Sequence, residues 1–119
     1  MRAADLELLT DICGTVTHPL ARRCAEQMAV SPRFTAFLEQ YRDKIRKKLR
    51  SAQGGDRWRD LWLELWVAAR LLADSRWSVA YEAFAARKVR GPDLTATFRT
   101  HVVCHVEIKH VRAALTTEK

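Results

Sequence analysis

The sequence predicts an α+β fold, with helices in the N-terminal half and a small, mostly antiparallel three-stranded sheet after them. Apolar residues recur at helical spacing as far as residue 73, which is typical of amphipathic helices. Beyond residue 76, three short runs carry the residue types and alternation of strands. At 119 residues the chain is expected to form one domain. Its helical region would span residues 1–55 and its sheet-bearing region residues 56–119.

The helical half divides at local start and stop signals. Gly14 interrupts the first amphipathic run, and Ser31-Pro32 supplies an N-cap followed by a proline at the first helical position. From Pro32 onward, apolar residues recur at helical spacing as far as Leu49, which predicts one continuous helix. The predicted helices cover residues 4–13, 19–29, 32–50 and 57–73.

The three predicted strands follow one another with short connections, at residues 77–84, 93–98 and 102–109. The last run alternates clearly. Val102, Cys104, Val106 and Ile108 fall on one face, and Val103, His105, Glu107 and Lys109 fall on the other. Such alternation is typical of a strand with one apolar and one polar face. We expect the last two runs to pair as a hairpin.

The chain is basic, with 21 Lys and Arg against 14 Asp and Glu, a formal net charge of +7. A surplus of this kind favours polyanionic partners, of which nucleic acid is the commonest. The alternative is a basic protein without a specific polyanionic partner.

No apolar stretch is long enough to span a membrane; the best, residues 61–72, is short and contains Glu64 and Arg70. The three cysteines, Cys13, Cys24 and Cys104, lack metal-ligand spacing and are expected to be buried thiols in a reducing compartment. The N-terminus shows no apolar signal-peptide run. We therefore expect a cytoplasmic protein without membrane partners.

Two short motifs on the last two predicted strands carry residues suited to catalysis. They are Gly91-Pro92-Asp93 and Glu107-Ile108-Lys109. Residues two apart in a strand share a face, so Glu107 and Lys109 would project together. In a hairpin, Asp93 would reach Glu107 across the ladder. Two carboxylates and a lysine suit a Mg²⁺ site beside a phosphodiester. The alternative is ordinary turn chemistry at Asp93 and a charged, solvent-exposed strand face.

Glu64 adds a further acid, on the helix predicted for residues 57–73. It lies one turn from Leu61 and Ala68, and therefore on or beside the buried face. A carboxylate there needs a partner, a metal or a shifted pKa. Glu64 is either part of the same site as Asp93 and Glu107 or an edge residue, exposed or paired with a nearby arginine such as Arg57 or Arg70.

Residues 56–112 resemble the PD-(D/E)XK nuclease superfamily, which has a restriction-endonuclease-like fold. The matching residues are Glu64, Pro92, Asp93, Glu107 and Lys109. The resemblance implies Mg²⁺- or Mn²⁺-dependent hydrolysis of nucleic acid. It implies metal ligation by Asp93, Glu107 and Glu64, with the main-chain carbonyl of Ile108, and a catalytic role beside the attacking water for Lys109.

The superfamily core continues with a helix and a strand, whereas ten residues follow Lys109 here. Residues 56–119 therefore correspond to a partial core. We expect either a homodimer or a further C-terminal segment to complete the sheet. The difference from the superfamily core after Lys109 affects the expected catalytic activity more than the expected fold class.

Nucleic acid, in the first instance DNA, is the expected partner. The cations expected to contact its phosphates are Arg42, Arg46, Lys47, Arg50 and Arg112. For the residues up to Arg50, the alternative is a solvated helix face whose cations complement the helix dipole. Two rival functions remain open at the level of sequence. One is a non-catalytic nucleic-acid-binding or scaffold protein that retains the fold, and the other is a structural domain in which the motif is coincidental.

Overall fold

The computed structural model describes residues 2–51, 57–81, 93–100 and 102–108. Its architecture is α+β, which confirms the predicted class: five helices pack with a three-stranded antiparallel sheet in these residues. The helices are α1 (Ala3–Cys13), α2 (Pro19–Val30), α3 (Pro32–Gln40), α4 (Arg42–Ser51) and α5 (Arg57–Leu72). The strands are β1 (Trp77–Tyr81), β2 (Leu94–Phe98) and β3 (Val102–Val106).

The first helices begin and end at the residues that the sequence signals indicate. Gly14 adopts φ 82° after α1, and its N–H donates to the Thr10 carbonyl at 2.8 Å. This left-handed conformation favours glycine, which has no Cβ to clash. The Ser31 hydroxyl accepts a hydrogen bond from the Phe34 N–H at 3.1 Å, and Pro32 follows as the first residue of α3. Ser31 is therefore the N-cap that the sequence predicts.

The prediction of one continuous helix over residues 32–50 is wrong, because Tyr41 separates α3 from α4. Tyr41 has φ −108° and ψ 21°, outside the helical range. Its ring packs against those of Phe37 and Tyr81, at centroid distances of 5.0 and 5.9 Å. The break lets the two helices take different neighbours: α4 packs mainly against α1, whereas α3 packs against α2 and α5.

The sheet has the order β1-β2-β3, and both pairings are antiparallel, so β2 and β3 form the predicted hairpin. At one end Leu94 lies between Tyr81 and Val106, and we call this the Leu94 end. At the other end Phe98 lies between Trp77 and Val102, and we call this the Phe98 end.

One face of the sheet packs on the helices and the other face is turned away from them. Tyr81, Leu94 and Ala96 are buried, and α5 packs on β1 and β2. On the opposite face, Ser78 and His105 are exposed. The buried residues of the helices and of this one sheet face form a continuous hydrophobic cluster, from Leu8 in α1 to Leu94 in β2. Such a cluster excludes water from one side of the sheet only.

Within the described residues, no helix combines the length and the apolar character that a membrane span requires. The longest, α5, has 16 residues and includes Asp60, Glu64 and Arg70.

Candidate functional site

Asp93 and Glu107 lie next to the last paired residues at the Leu94 end of the sheet. Leu94 pairs with Val106 in the last bridge between β2 and β3. Asp93 precedes the first of these residues and Glu107 follows the second, so continuing the register by one step places them across from each other. Strand alternation assigns both to the face turned away from the helices. Glu107 is exposed and Asp93 is half-buried.

The Asp93 carboxylate contacts the backbone just beyond Glu107. Its Oδ2 accepts a hydrogen bond from the Ile108 N–H at 2.7 Å, which ties the start of β2 to the chain leaving β3. Carboxylates commonly cap backbone donors in this way at the ends of regular structure. The contact brings the Asp93 side chain to the Glu107–Ile108 peptide, which is the segment where the resemblance expects metal ligands.

Glu64 is buried, with 8 % of its surface exposed, and its contacts lie on the helix-packed side of the sheet. Oε1 accepts hydrogen bonds from the Lys48 ammonium at 2.8 Å and from the Tyr81 hydroxyl at 2.6 Å. The Lys48 ammonium also lies 5.0 Å from the centroid of the Tyr81 ring. The carboxylate therefore has a cationic partner from α4 and a neutral donor from β1, as a buried charge requires.

The three predicted acidic ligands are not assembled around one position in this structure. Among the residues that the structure describes, no three His, Cys, Asp or Glu side chains are grouped so that they could hold a metal ion. The physical reason is the sheet itself, since Glu64 contacts its helix-packed side and alternation turns Asp93 and Glu107 to the other side. The role of Glu64 as a metal ligand stays a prediction.

Several residues of the resemblance lie outside the described part of the chain. These are Pro92, Lys109 and the phosphate-contacting candidate Arg112. The predicted role of Lys109 beside the attacking water therefore stays a prediction, and so does the contact of Arg112 with nucleic acid.

The predicted phosphate-binding cations of α4 fall into two groups. Arg42 and Arg46 both bond to Asp11 of α1, with guanidinium-to-carboxylate distances of 3.4 and 2.7 Å. Arg46 also pairs with Asp43 at 2.9 Å. These two arginines tie α4 to α1, so much of their charge is already matched by carboxylates within the protein.

Lys47 and Arg50 form the second group and are exposed. Neither side chain has a hydrogen-bond or ion-pair partner among residues 2–51, 57–81, 93–100 and 102–108. Their charges are available to a polyanion without breaking an internal pair. The structure thus separates two exposed cations of α4 from two that link helices.

Sequence reasoning identified the need of Glu64 for a partner but not Lys48 or Tyr81 as that partner. Lys48 belongs to the cationic run of α4, which the apolar periodicity assigns as a whole to the solvent side. The sequence feature that could have identified Lys48 is its spacing from Lys44. Lys44 and Lys48 are four residues apart, share a helix face and both reach β1: Lys44 donates to the Tyr81 carbonyl at 3.4 Å, and Lys48 lies over the Tyr81 ring.

Cys13 and Cys24 are thiols of the helical half of the molecule. Burial raises the pKa of the Cys13 thiol to about 11. Burial and the neighbouring Cys13 also raise the pKa of Cys24. Both are protonated at neutral pH, and thiols in that state are poor nucleophiles and poor metal ligands. Cys24 is buried in the helical core, as predicted, whereas Cys13 and Cys104 are only half-buried.

No protein-family model matches this chain, and no curated protein or solved structure is similar to it at a significant level.

Proposed function

We propose that this protein is a Mg²⁺-dependent phosphodiesterase that acts on nucleic acid, with a restriction-endonuclease-like core and its chemistry at the Leu94 end of the sheet. The observation that carries the proposal is the β2–β3 register. It pairs Leu94 with Val106, the neighbours of Asp93 and Glu107, so these two acids, fourteen positions apart, would face each other if the register continued by one step. The hydrogen bond from the Ile108 N–H to Asp93, at 2.7 Å, supports the same proximity.

The donors at this end fit the requirements of Mg²⁺. This ion prefers oxygen ligands, retains several waters, and is commonly held by only one or two carboxylates together with substrate phosphate. Asp93 and Glu107 would supply the carboxylates, and the Ile108 carbonyl would supply a further oxygen. When bound, the ion neutralises charge that develops on the phosphate and lowers the pKa of a bound water. Glu64 is not needed in this ligand set.

Lys109 completes the proposed site. It lies two residues beyond Glu107, at the position that the resemblance places beside the attacking water. An ammonium group there would orient the attacking water and stabilise negative charge on the phosphate. DNA would be held by the exposed cations Lys47 and Arg50, with contributions from Arg42, Arg46 and Arg112.

Two further expectations belong to this proposal. The described sheet ends at β3, where Val102 and Val103 are 53 % and 54 % exposed. A second copy of the chain or a further segment of sequence would complete the sheet at this edge. The expected cytoplasmic location is part of the same account.

The proposal is tested by incubating plasmid DNA with the protein in Mg²⁺ or Mn²⁺ and in chelator. Wild type should cut only with the metal. Asp93→Asn and Glu107→Gln should lose cutting because they weaken metal binding. Lys109→Ala should reduce cutting by about a hundredfold or more while DNA binding persists.

Glu7→Gln is the matched control, because Glu7 is an exposed acid on α1. It should cut like wild type. Cutting that survives chelator, or that is equal in all variants, would reject the proposed site.

A non-catalytic nucleic-acid-binding or scaffold protein is the second candidate. It is favoured by the contacts of Glu64, whose Oε1 is held by Lys48 and Tyr81. Retention of DNA by a protein that takes up no divalent cation at millimolar concentration would select this candidate.

A further inference from the structure

A cavity at the Phe98 end of the sheet brings together three arginines that are distant in sequence. It measures about 230 Å³. Arg33 of α3, Arg76 from the turn before β1, and Arg99 from the β2–β3 connection line it, together with the hydroxyl-bearing residues Ser75, Ser78 and Thr97. Guanidinium and hydroxyl groups are the side-chain donors that proteins most often direct at phosphate oxygens.

The Arg33 side chain is fixed in place by uncharged partners. It donates to the carbonyl oxygens of Leu72 at 2.8 Å and Asp74 at 3.0 Å, and to that of Trp77. Carbonyls orient the guanidinium without neutralising it, so its full positive charge remains at the cavity wall. Three of its five N–H groups are used in these bonds, which leaves donors for a ligand.

Arg76 and Arg99 flank the Phe98 ring, with their guanidinium carbons 5.4 and 5.5 Å from its centroid. Arg76 is also paired with Asp74 at 2.6 Å. Hydrogen bonds from Arg76, with a smaller contribution from the charge of Arg99, lower the pKa of Asp74 to about 2. Asp74 is therefore ionised at neutral pH and matches one of the three cations, so two positive charges remain unmatched at the cavity.

The connection that carries Arg99 has an unusual backbone. Arg99 has φ 60° and Thr100 has φ 105°, although neither is glycine. Positive φ is costly for residues with a Cβ, and most of all for a β-branched threonine. Such conformations concentrate at binding and catalytic sites. Here the turn carries the Arg99 and Thr100 side chains to the cavity, where both are part of its lining.

We propose that this cavity binds a phosphate group. Two unmatched guanidinium charges and a surround of hydroxyls favour a compact, multiply hydrogen-bonded oxyanion over a neutral ligand. The site lies at the opposite end of the sheet from Asp93 and Glu107. It requires no metal, and it does not depend on the proposed nuclease activity.

The phosphate could belong to a small molecule or to a nucleic-acid backbone, and the surroundings bear on this choice. A second cavity of about 230 Å³ shares Arg33 and Ser78 with the first. Phe37, Leu72 and Gln40 contribute to its lining. An apolar wall with one amide suits a planar ring attached to the phosphate. A nucleoside monophosphate should therefore bind more tightly than inorganic phosphate.

The test is calorimetric titration of the full chain with inorganic phosphate, then deoxyadenosine monophosphate, then a short single-stranded DNA. Arg99→Gln should weaken phosphate binding by about tenfold or more, because a charge-assisted hydrogen bond is lost. Arg22→Gln is the control. It removes the same charge from an exposed position on α2 that lines neither cavity, and its affinity should equal that of wild type.

Each outcome bears on the proposal. Tighter binding of the monophosphate that is lost in Arg99→Gln identifies a small-molecule site. Binding of the oligonucleotide alone, lost in the same variant, identifies a backbone contact. Equal weakening of binding in Arg99→Gln and Arg22→Gln would mean that only net charge matters and would overturn the site. The site would also be overturned if wild type bound none of the three ligands. Thermal denaturation of both variants confirms that they are folded.

Discussion

Glu64 illustrates how one buried carboxylate can organise three elements. It lies within the apolar stripe of α5, where an unpaired charge would be costly. Lys48 from α4 and Tyr81 from β1 both bond to its Oε1, at 2.8 and 2.6 Å. The Lys48 side chain keeps 30 % of its surface exposed, so solvent screens this pair more than it would a fully buried one. The arrangement fixes the last residue of β1, which faces Leu94 in the sheet.

Glu64→Gln and Lys48→Met should each lower the free energy of unfolding by about 1–3 kcal/mol, because each removes the partly buried ion pair between α4 and α5. The double variant should lose less than the sum of the two single variants. Urea denaturation of all four proteins measures this coupling. Lys47→Met, at the exposed neighbouring position, should change stability by less than about 0.5 kcal/mol. Strict additivity of the two substitutions would mean that the pair contributes nothing.

At the scale of the element, α4 presents its cations in three directions. Arg42 and Arg46, one turn apart, reach Asp11 on α1. Lys44 and Lys48, also one turn apart, reach β1 and α5. Lys47 and Arg50 are exposed. The cations of α4 form one run in the sequence. In the structure two of them contact α1, two contact β1 and α5, and two are exposed.

Charge-matched double variants separate these roles. Lys47→Gln with Arg50→Gln should weaken DNA binding and reduce the slope of log affinity against log salt concentration by about 2, since two phosphate contacts are lost. Its melting temperature should stay close to that of wild type. Arg42→Gln with Arg46→Gln should instead lower the melting temperature, because the bonds from α4 to Asp11 are removed. Fluorescence anisotropy over a salt series and thermal denaturation provide the two measurements, and the reverse pattern would contradict this division of α4.

The sequence predicted the elements better than their connections. Periodicity and cap residues located α1, α2 and α5 to within a residue or two, and alternation located β2 and the start of β3. The predicted continuation of the last strand beyond Val106 is wrong, because residues 107 and 108 are not part of the sheet. The break at Tyr41 was missed because no glycine or proline marks it. It accompanies packing of the Tyr41 ring against Phe37 and Tyr81, and Tyr81 is forty residues further along the chain. A contact between residues so far apart in sequence cannot be predicted from the spacing of apolar residues around Tyr41.

At the scale of the whole molecule, the described residues place different charged groups at the two ends of the sheet. The Leu94 end carries Asp93 and Glu107, and the Phe98 end carries Arg33, Arg76 and Arg99. The acidic end could be predicted because a hairpin register relates residues that are close in sequence. The basic end could not, since its arginines come from a helix, a turn and a hairpin connection that only the tertiary fold brings together.

The central claim is that Asp93 and Glu107 form a divalent-cation site, and its most direct test is an electron paramagnetic resonance titration with Mn²⁺. Wild type and the control Glu7→Gln should bind one Mn²⁺ per chain, and Mg²⁺ should displace it. Asp93→Asn and Glu107→Gln should each lose the bound signal, because one or two carboxylates supply most of the protein's hold on such an ion. Absence of Mn²⁺ binding in wild type at millimolar concentration, or undiminished binding in both variants, would contradict the account.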